Sequence, residues 1–290
     1  MNNTKKKSPI SWVPTAYFAM GLPFVVLNMV TVLMFKGLEV DDKLITFWTS
    51  LILLPWTLKP LWSPFLELFR TKKFFVIVTQ LITGVTFGLV AFALNLSHFF
   101  SISIALLAIV AFSGATHDIA CDGVYMSELS NEDQAKFIGW QGAFYNIAKI
   151  LATGGLVYLA GYFIELNADA GLLTANKRAW MIILLILSVT MILLGIYHLF
   201  ALPSTQSASS KKTLRSNKEV MKELGQVLMD FFRKTHITYY IFFIILYRFA
   251  EGFVMKIVPL FLKADREMGG LGLNEKEIGL YYGTYGAAAF

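Results

Sequence analysis

Seven long apolar runs, each cut off from the next by a polar or charged stretch, fix the class of this chain before any motif is considered. Crossing the hydrocarbon of a bilayer takes about 20 residues of helix. Lipid offers no hydrogen bonds, so each crossing segment must close its backbone bonds within itself. The runs fall at 12–34, 44–66, 74–95, 99–126, 137–163, 180–202 and 237–262. An eighth begins near Glu277 and meets Phe290 before it is long enough to cross. A chain stopping inside lipid would strand its last carbonyls, so a fragment or truncated product is expected. The expected fold class is all-α, a polytopic membrane protein. It comprises a six-span bundle over 1–203, a cytoplasmic linker over 204–236 and the start of a second bundle over 237–290.

Charge supports the class and gives an orientation. Only 15% of residues are charged, against about 25% in soluble domains. Loops on the N-terminal side of the bilayer carry 14 Lys and Arg, and the opposite loops carry 6. Positive loops stay inside, so the N-terminus and the loop after span six are expected in the cytoplasm, in a bacterial inner membrane. That loop opens on the flexible run Ser204–Ser210 and continues with a helix-capping pattern at Ser216–Glu219. Val220, Leu224, Val227, Leu228 and Phe231 then recur at helical spacing. An amphipathic helix follows, either on the inner membrane face or packed on the end of the bundle.

The single cysteine, Cys121, excludes an internal disulfide framework and a cysteine zinc cluster. Lys5, Lys6 and Lys7 lead into a run too long for a signal-peptide core, with no small-residue cleavage site after it. No nucleotide-binding loop, catalytic triad or metal-ligand spacing is present. Neither an enzyme nor an ATP-driven pump is expected, and no cofactor, metal or nucleic-acid partner. The expected partners are the lipid bilayer, a small-molecule substrate and the proton, with the protein acting as a monomer.

Span four carries the sharpest signal. Phe99–Ala115 is apolar apart from small serines; then His117, Asp118 and Asp122 arrive together. The two acids are four apart and share a helix face, which Tyr125 continues. An acid within a span costs about 2.5–3.5 kcal/mol on insertion scales. Two on one stripe must face protein or a wet cavity, unless the helix ends near His117 and frees them into a loop. His117, one position off the stripe, is a candidate proton relay beside Asp118 and Asp122.

Other ionisable groups lie in or beside the spans. Lys59 precedes Pro60 and Pro64, which should kink the inner end of span two; it either belongs to a charged gate or snorkels to the interface. Glu67, Arg70, Lys72 and Lys73 follow, suiting a latch between helices or a positive-inside anchor. Lys149 lies in the middle of span five and would be tolerable paired with Asp118 or Asp122. Gly154, Gly155 and Gly161 on the same span read as close helix packing. In span seven, Tyr247 precedes Arg248, and Arg248 and Glu251 are three apart, hence neighbours. They either neutralise each other or present Arg248 to an anionic substrate or a span-four acid. His98, His198 and His236 lie near span ends and are expected at the interface.

Six spans, a basic linker and further spans resemble the layout of the major facilitator superfamily, in which two six-helix halves rock about a midplane site. Within it, four stretches resemble the AmpG-type muropeptide permeases. These are Gly21-Leu22-Pro23, Lys59–Pro64, His117–Asp122 with Glu128, and Leu246–Phe253. The resemblance implies an inner-membrane permease driven by the proton gradient and importing cell-wall turnover products, the anhydromuropeptides. It implies functional roles for Asp118, Asp122, Arg248 and Glu251. Glu128 and Glu251 stand where true muropeptide permeases tend to carry Asp, and Lys149 is offset from the usual span-five Arg. A siderophore or acetyl-CoA carrier of the same branch is the alternative. A non-transporting receptor or scaffold docking through the basic linker is the second, though it leaves the buried acids unexplained.

Overall fold

The computed structural model describes residues 7–63, 66, 71–203, 222, 225–226, 229–230 and 232–286, with the backbone alone at 248–251. Its main helices are α1 (Pro9–Gly37), α2 (Asp42–Leu61), α3 (Lys72–Ala93), α4 (Phe99–Glu128), α5 (Asn131–Leu166), α6 (Leu172–Ala201), α7 (Ile237–Lys263) and α8 (residues 275–285). The first six are long and apolar enough to cross a membrane. No strand occurs among the described residues. The expected linker helix and its capping pattern at Ser216–Glu219 lie outside the described residues.

Helix ends follow local chemistry more than apolarity. Thr71 caps α3 by accepting from the Phe74 N–H at 3.2 Å, and Ser130 caps α5 by accepting from the Asp133 N–H at 3.1 Å. Polar first turns therefore continue the helices beyond their apolar runs, and α5 begins six residues before the expected 137. Span four settles the open question about its end: α4 runs unbroken through His117, Asp118 and Asp122 to Glu128.

Span two departs from expectation. Its regular helix stops at Leu51, ahead of Pro55, and resumes as the single turn Leu54–Leu58 and a 3₁₀ turn at Lys59–Leu61. Pro55 has no N–H to return to the Leu51 carbonyl, and Pro60 none for that of Trp56. The break thus starts a turn earlier than Pro60 and Pro64 alone would put it; Pro64 lies outside the described residues. Wider turns also interrupt α1 at Val26–Val30 and α5 at Leu151–Leu156, and make up most of α8, all in π-helical form.

α1 is the most enclosed span and α2 the least. α3 packs along both α4 and α6, while α1 lies against α5, α4 and α6. Phe35, Phe87 and Trp180 are wholly buried in the core. The later helices dock on the bundle: α7 on the second half of α1, and α8 on the second half of α5.

The α5–α8 contact is set by glycines. A β-carbon on Gly154 would lie 2.6 Å from Thr284 Oγ1; one on Gly161 would lie 2.5 Å from the Lys276 nitrogen. One on Gly283 would strike the Thr153 carbonyl. Gly154 and Gly161 therefore pack as expected, whereas Gly155 meets only Leu151 of its own helix. An ion pair from Lys276 to Glu165 supplements the contact. Gly283→Ala is expected to destabilise by about 1–3 kcal/mol through overpacking, read as a lowered Tm of the purified protein. Gly142→Ala, with nothing within 4 Å of its β-carbon, should leave Tm in place.

Candidate functional site

The two acids of α4 share a stripe but reach different partners. Asp118 is buried, and its Oδ2 lies 2.7 Å from Lys59 Nζ and 2.8 Å from Trp56 Nε1, both on the broken end of α2. Trp56 and Lys59, three apart and so on one side of this end of α2, both turn toward α4. Gly114 makes room for the indole: a β-carbon there would lie 2.8 Å from its ring. Phe24 of α1 braces the same ring edge-on, with centroids 5.3 Å apart. The second carboxylate oxygen, Oδ1, is buried without a hydrogen-bond partner.

Asp122 is exposed and reaches α1. Its Oδ1 accepts from the Tyr17 hydroxyl at 2.8 Å, and that hydroxyl accepts from Gln141 Nε2 of α5 at 2.9 Å. α1, α2, α4 and α5 thus meet around two carboxyls, one ion-paired and one hydrogen-bonded. Lys59 is the open member of the ion pair: its side chain is 28% exposed against 11% for Asp118.

Lys149 is not the counter-ion of the acids. It is exposed and pairs with no acid among the described residues. α5 packs on α1 through the face bearing Phe137, Gln141 and Ala148. The next residue after Ala148 is turned about 100° away from that face. The acid's charge is met instead from α2, by Lys59. Tyr125 continues the acid stripe in sequence but turns into the core, away from an open substrate passage. It is buried edge-on against Trp12 and Tyr17, and its hydroxyl donates to the Gln134 carbonyl across the α4–α5 turn. Tyr247 is exposed and stacks on Phe243 one turn earlier. Glu128 is half-buried at the last turn of α4. Arg248 and Glu251 fall within α7, their side chains outside the described residues, as are Glu67 and Arg70 altogether.

His117 turns away from the acids into a second polar centre. Its Nε2 lies 2.9 Å from Gln80 Nε2; Gln80 Oε1 lies 2.8 Å from His198 Nδ1, and His198 Nε2 lies 2.9 Å from Thr15 Oγ1. His198 is completely buried rather than interfacial; His98 and His236 are exposed near helix ends. An amide nitrogen only donates and its oxygen only accepts, so the assigned amide orientation places the His117 proton on Nδ1. That atom is buried with no partner. Turning the amide over reverses every bond. His117 Nε2–H then donates to Gln80, Gln80 to His198 Nδ1, and His198 Nε2–H to Thr15, whose hydroxyl can reach the Trp12 carbonyl at 3.2 Å. No ring N–H is then stranded, so this second arrangement is the favoured one.

Trp56, Tyr17, Gln141, Gln80 and His198 were not singled out as site residues from the sequence. Trp56 precedes Lys59 by one helical turn, and Gln80 is the one amide in the interior of its span; both were available as signals. Lys256 of α7 is buried with its Nζ on the Leu27 and Asn28 carbonyls, at 3.4 and 3.2 Å. Both carbonyls belong to the π-helical stretch of α1.

Matched against known families, residues 15–290 fit the Major Facilitator Superfamily. The chain belongs to that superfamily. It is therefore a multi-pass membrane protein of a transporter family, and its helices α1–α6 are consistent with an N-terminal facilitator bundle. Comparison with curated proteins finds no significant match.

The Gln80 bridge gives a stability prediction for this facilitator. Gln80→Leu leaves two imidazoles without their shared partner, at about 1–3 kcal/mol for each stranded polar group. The expected result is a clear fall in Tm, larger than for Thr15→Val, which removes only the terminal bond.

Proposed function

We propose that this facilitator is a proton-coupled importer of anhydromuropeptides, set in a bacterial inner membrane with its N-terminus in the cytoplasm. The single observation that carries the coupling is the buried Asp118–Lys59 ion pair within the spans. Buried carboxylates are expensive in lipid and persist where they carry ions or protons. Asp118, ionised, is balanced by Lys59; protonated, it releases that lysine and loosens α2 from α4. Asp122, exposed and bonded to Tyr17, is the step by which a proton passes between the open passage and Asp118. Proton exchange is assigned to these two acids; His117, engaged with Gln80, is given the bracing role.

The motion follows the general facilitator scheme of two halves rocking about a midplane site. The unit over 1–203 is the first half, and α7 and α8 belong to the second. Their contacts with α1 and α5 are the surfaces across which the halves move. Lys149, exposed on α5, and Tyr247, Arg248 and Glu251 on α7 are the groups offered to substrate from either side. The muropeptide assignment rests on the resemblance of the span-one, span-two, span-four and span-seven motifs. A carrier for another anionic solute, such as a siderophore or acetyl-CoA, would use the same pair.

Uptake into vesicles containing the purified protein tests the reading. An imposed pH difference should drive accumulation by the unaltered protein. Asp118→Asn and Asp122→Asn should abolish proton-driven accumulation while remaining in the membrane. If both variants keep the pH dependence of uptake, the acids are not the coupling groups.

A further inference from the structure

Protonating Asp118 creates a problem that the coupling scheme leaves open. Lys59 would then lose its ion-paired carboxylate, leaving nearby, among the described residues, only the more distant Asp122, which is held by Tyr17. The groups around Asp118 point to what replaces the carboxylate. Lys59 Nζ and Trp56 Nε1 converge on one oxygen. An ammonium has three donors, of which Asp118 takes one. Trp56 is fixed by Phe24 and by the space above Gly114, so its N–H stays in place when the carboxylate loses its charge. The lysine is the more open member of the pair. Two preset donors, one on the partly open Lys59 and one on the Trp56 indole, form an oxyanion site that holds the protein's own carboxylate.

We infer that Lys59 and Trp56 form the substrate's anion-binding site, which Asp118 fills when ionised and vacates when protonated. The substrate class is an oxyanion, carboxylate or phosphate, on a body with rings to lie against the Trp56 indole. The inference rests on the proposed proton coupling and adds the identity of the group that the proton exchanges for.

Charge counting makes the exchange obligatory. With Asp118 ionised and the site empty, the pair is neutral. With Asp118 protonated and one monoanion on Lys59, it is neutral again. A proton alone leaves the lysine with only the more distant, exposed Asp122 to balance it, and an anion alone puts a second negative charge beside the ion pair. Each mismatched state is disfavoured roughly a hundredfold by the cost of an uncompensated charge in a span. The other titratable groups near Asp118 are Asp122 and Cys121 on its own helix and Tyr145 on α5. None is exchanged in this step. A proton and a monoanion moving together carry no net charge, so transport responds to a pH difference and is silent to membrane potential.

The test uses the disaccharide N-acetylglucosaminyl-anhydro-N-acetylmuramic acid, which has a single carboxylate, alongside its neutral amide and acetyl-CoA. Binding of the acid to the purified protein in weak buffer should take up about one proton per molecule bound by this charge balance. Asp118→Asn should bind the acid independently of pH and take up no proton. Lys59→Arg should retain binding, while Lys59→Gln should lose roughly a hundredfold in affinity for the acid and none for the amide. The neutral double variant Lys59→Gln/Asp118→Asn should fold and show the same loss, separating a binding defect from a folding one. Saturable acetyl-CoA binding without disaccharide binding would support a phosphate-bearing substrate at the same lysine. Equal affinity of the double variant and Asp118→Asn for every anionic probe would overturn the assignment to Lys59, as would voltage-driven uptake of the monoanion. Proton-driven uptake that survives Lys59→Gln would leave the coupling by Asp118 standing and remove only the anion site. Uptake with no pH dependence in the unaltered protein would remove the coupling itself.

Discussion

A charge inside a bilayer must be answered from within the protein, and the rest of this bundle is arranged around that requirement. Asp118 sits on a long unbroken helix, where its cost is high and its position fixed. The answer is Lys59, at 2.7 Å, from a neighbouring span whose inner end is not a regular helix. Pro55 and Pro60 remove two backbone donors from α2, and the segment between them carries both the ammonium and the indole that meet the acid. The stable ion pair and the irregular span are one feature seen from two sides.

The same economy governs the other breaks. α1 widens at Val26–Val30, and the Lys256 ammonium of α7 settles on two of the carbonyls there. α5 widens at Leu151–Leu156, where it meets the π-helical α8 through glycines on both helices. Regular helices leave no mid-helix carbonyl to spare, so the Lys256 contact falls where the ladder is disturbed, while other contacts of the later helices lie on regular turns of α1 and α5. These are also the surfaces that must slide if two halves rock about a shared site.

The second polar centre holds α1, α3, α4 and α6 together through Thr15, Gln80, His117 and His198. An amide between two imidazoles satisfies both rings only when each is set to the matching tautomer. The chain of bonds fixes the rotation of α4 about its axis, because His117 immediately precedes Asp118. Bracing one helix face and the proton exchange proposed for the next are compatible tasks, separated by about 100° of helix rotation.

Much was written plainly in the linear order of residues. Runs of about 20 apolar residues must become helices in lipid, so the six spans of the first bundle, their order and the all-α class followed from local composition alone. The acid stripe of α4 was legible for the same reason: a spacing of four on a helix is a fixed geometry. What that order could not supply was which helix faces which. Lys149 and Lys59 are both lysines within or beside spans, and nothing local distinguishes the one that reaches Asp118. Pairing depends on which face of each helix packs, and so on contacts between residues far apart in the chain, such as Lys59 with Asp118 and Gln80 with His198. His198 reads as interfacial from its place near a span end, and only the packing of α3 and α1 against α6 encloses it. Hydrophobicity determined the helices; the partners of the charged and polar groups were decided by the tertiary fold, because pairing energies act through space and not along the chain.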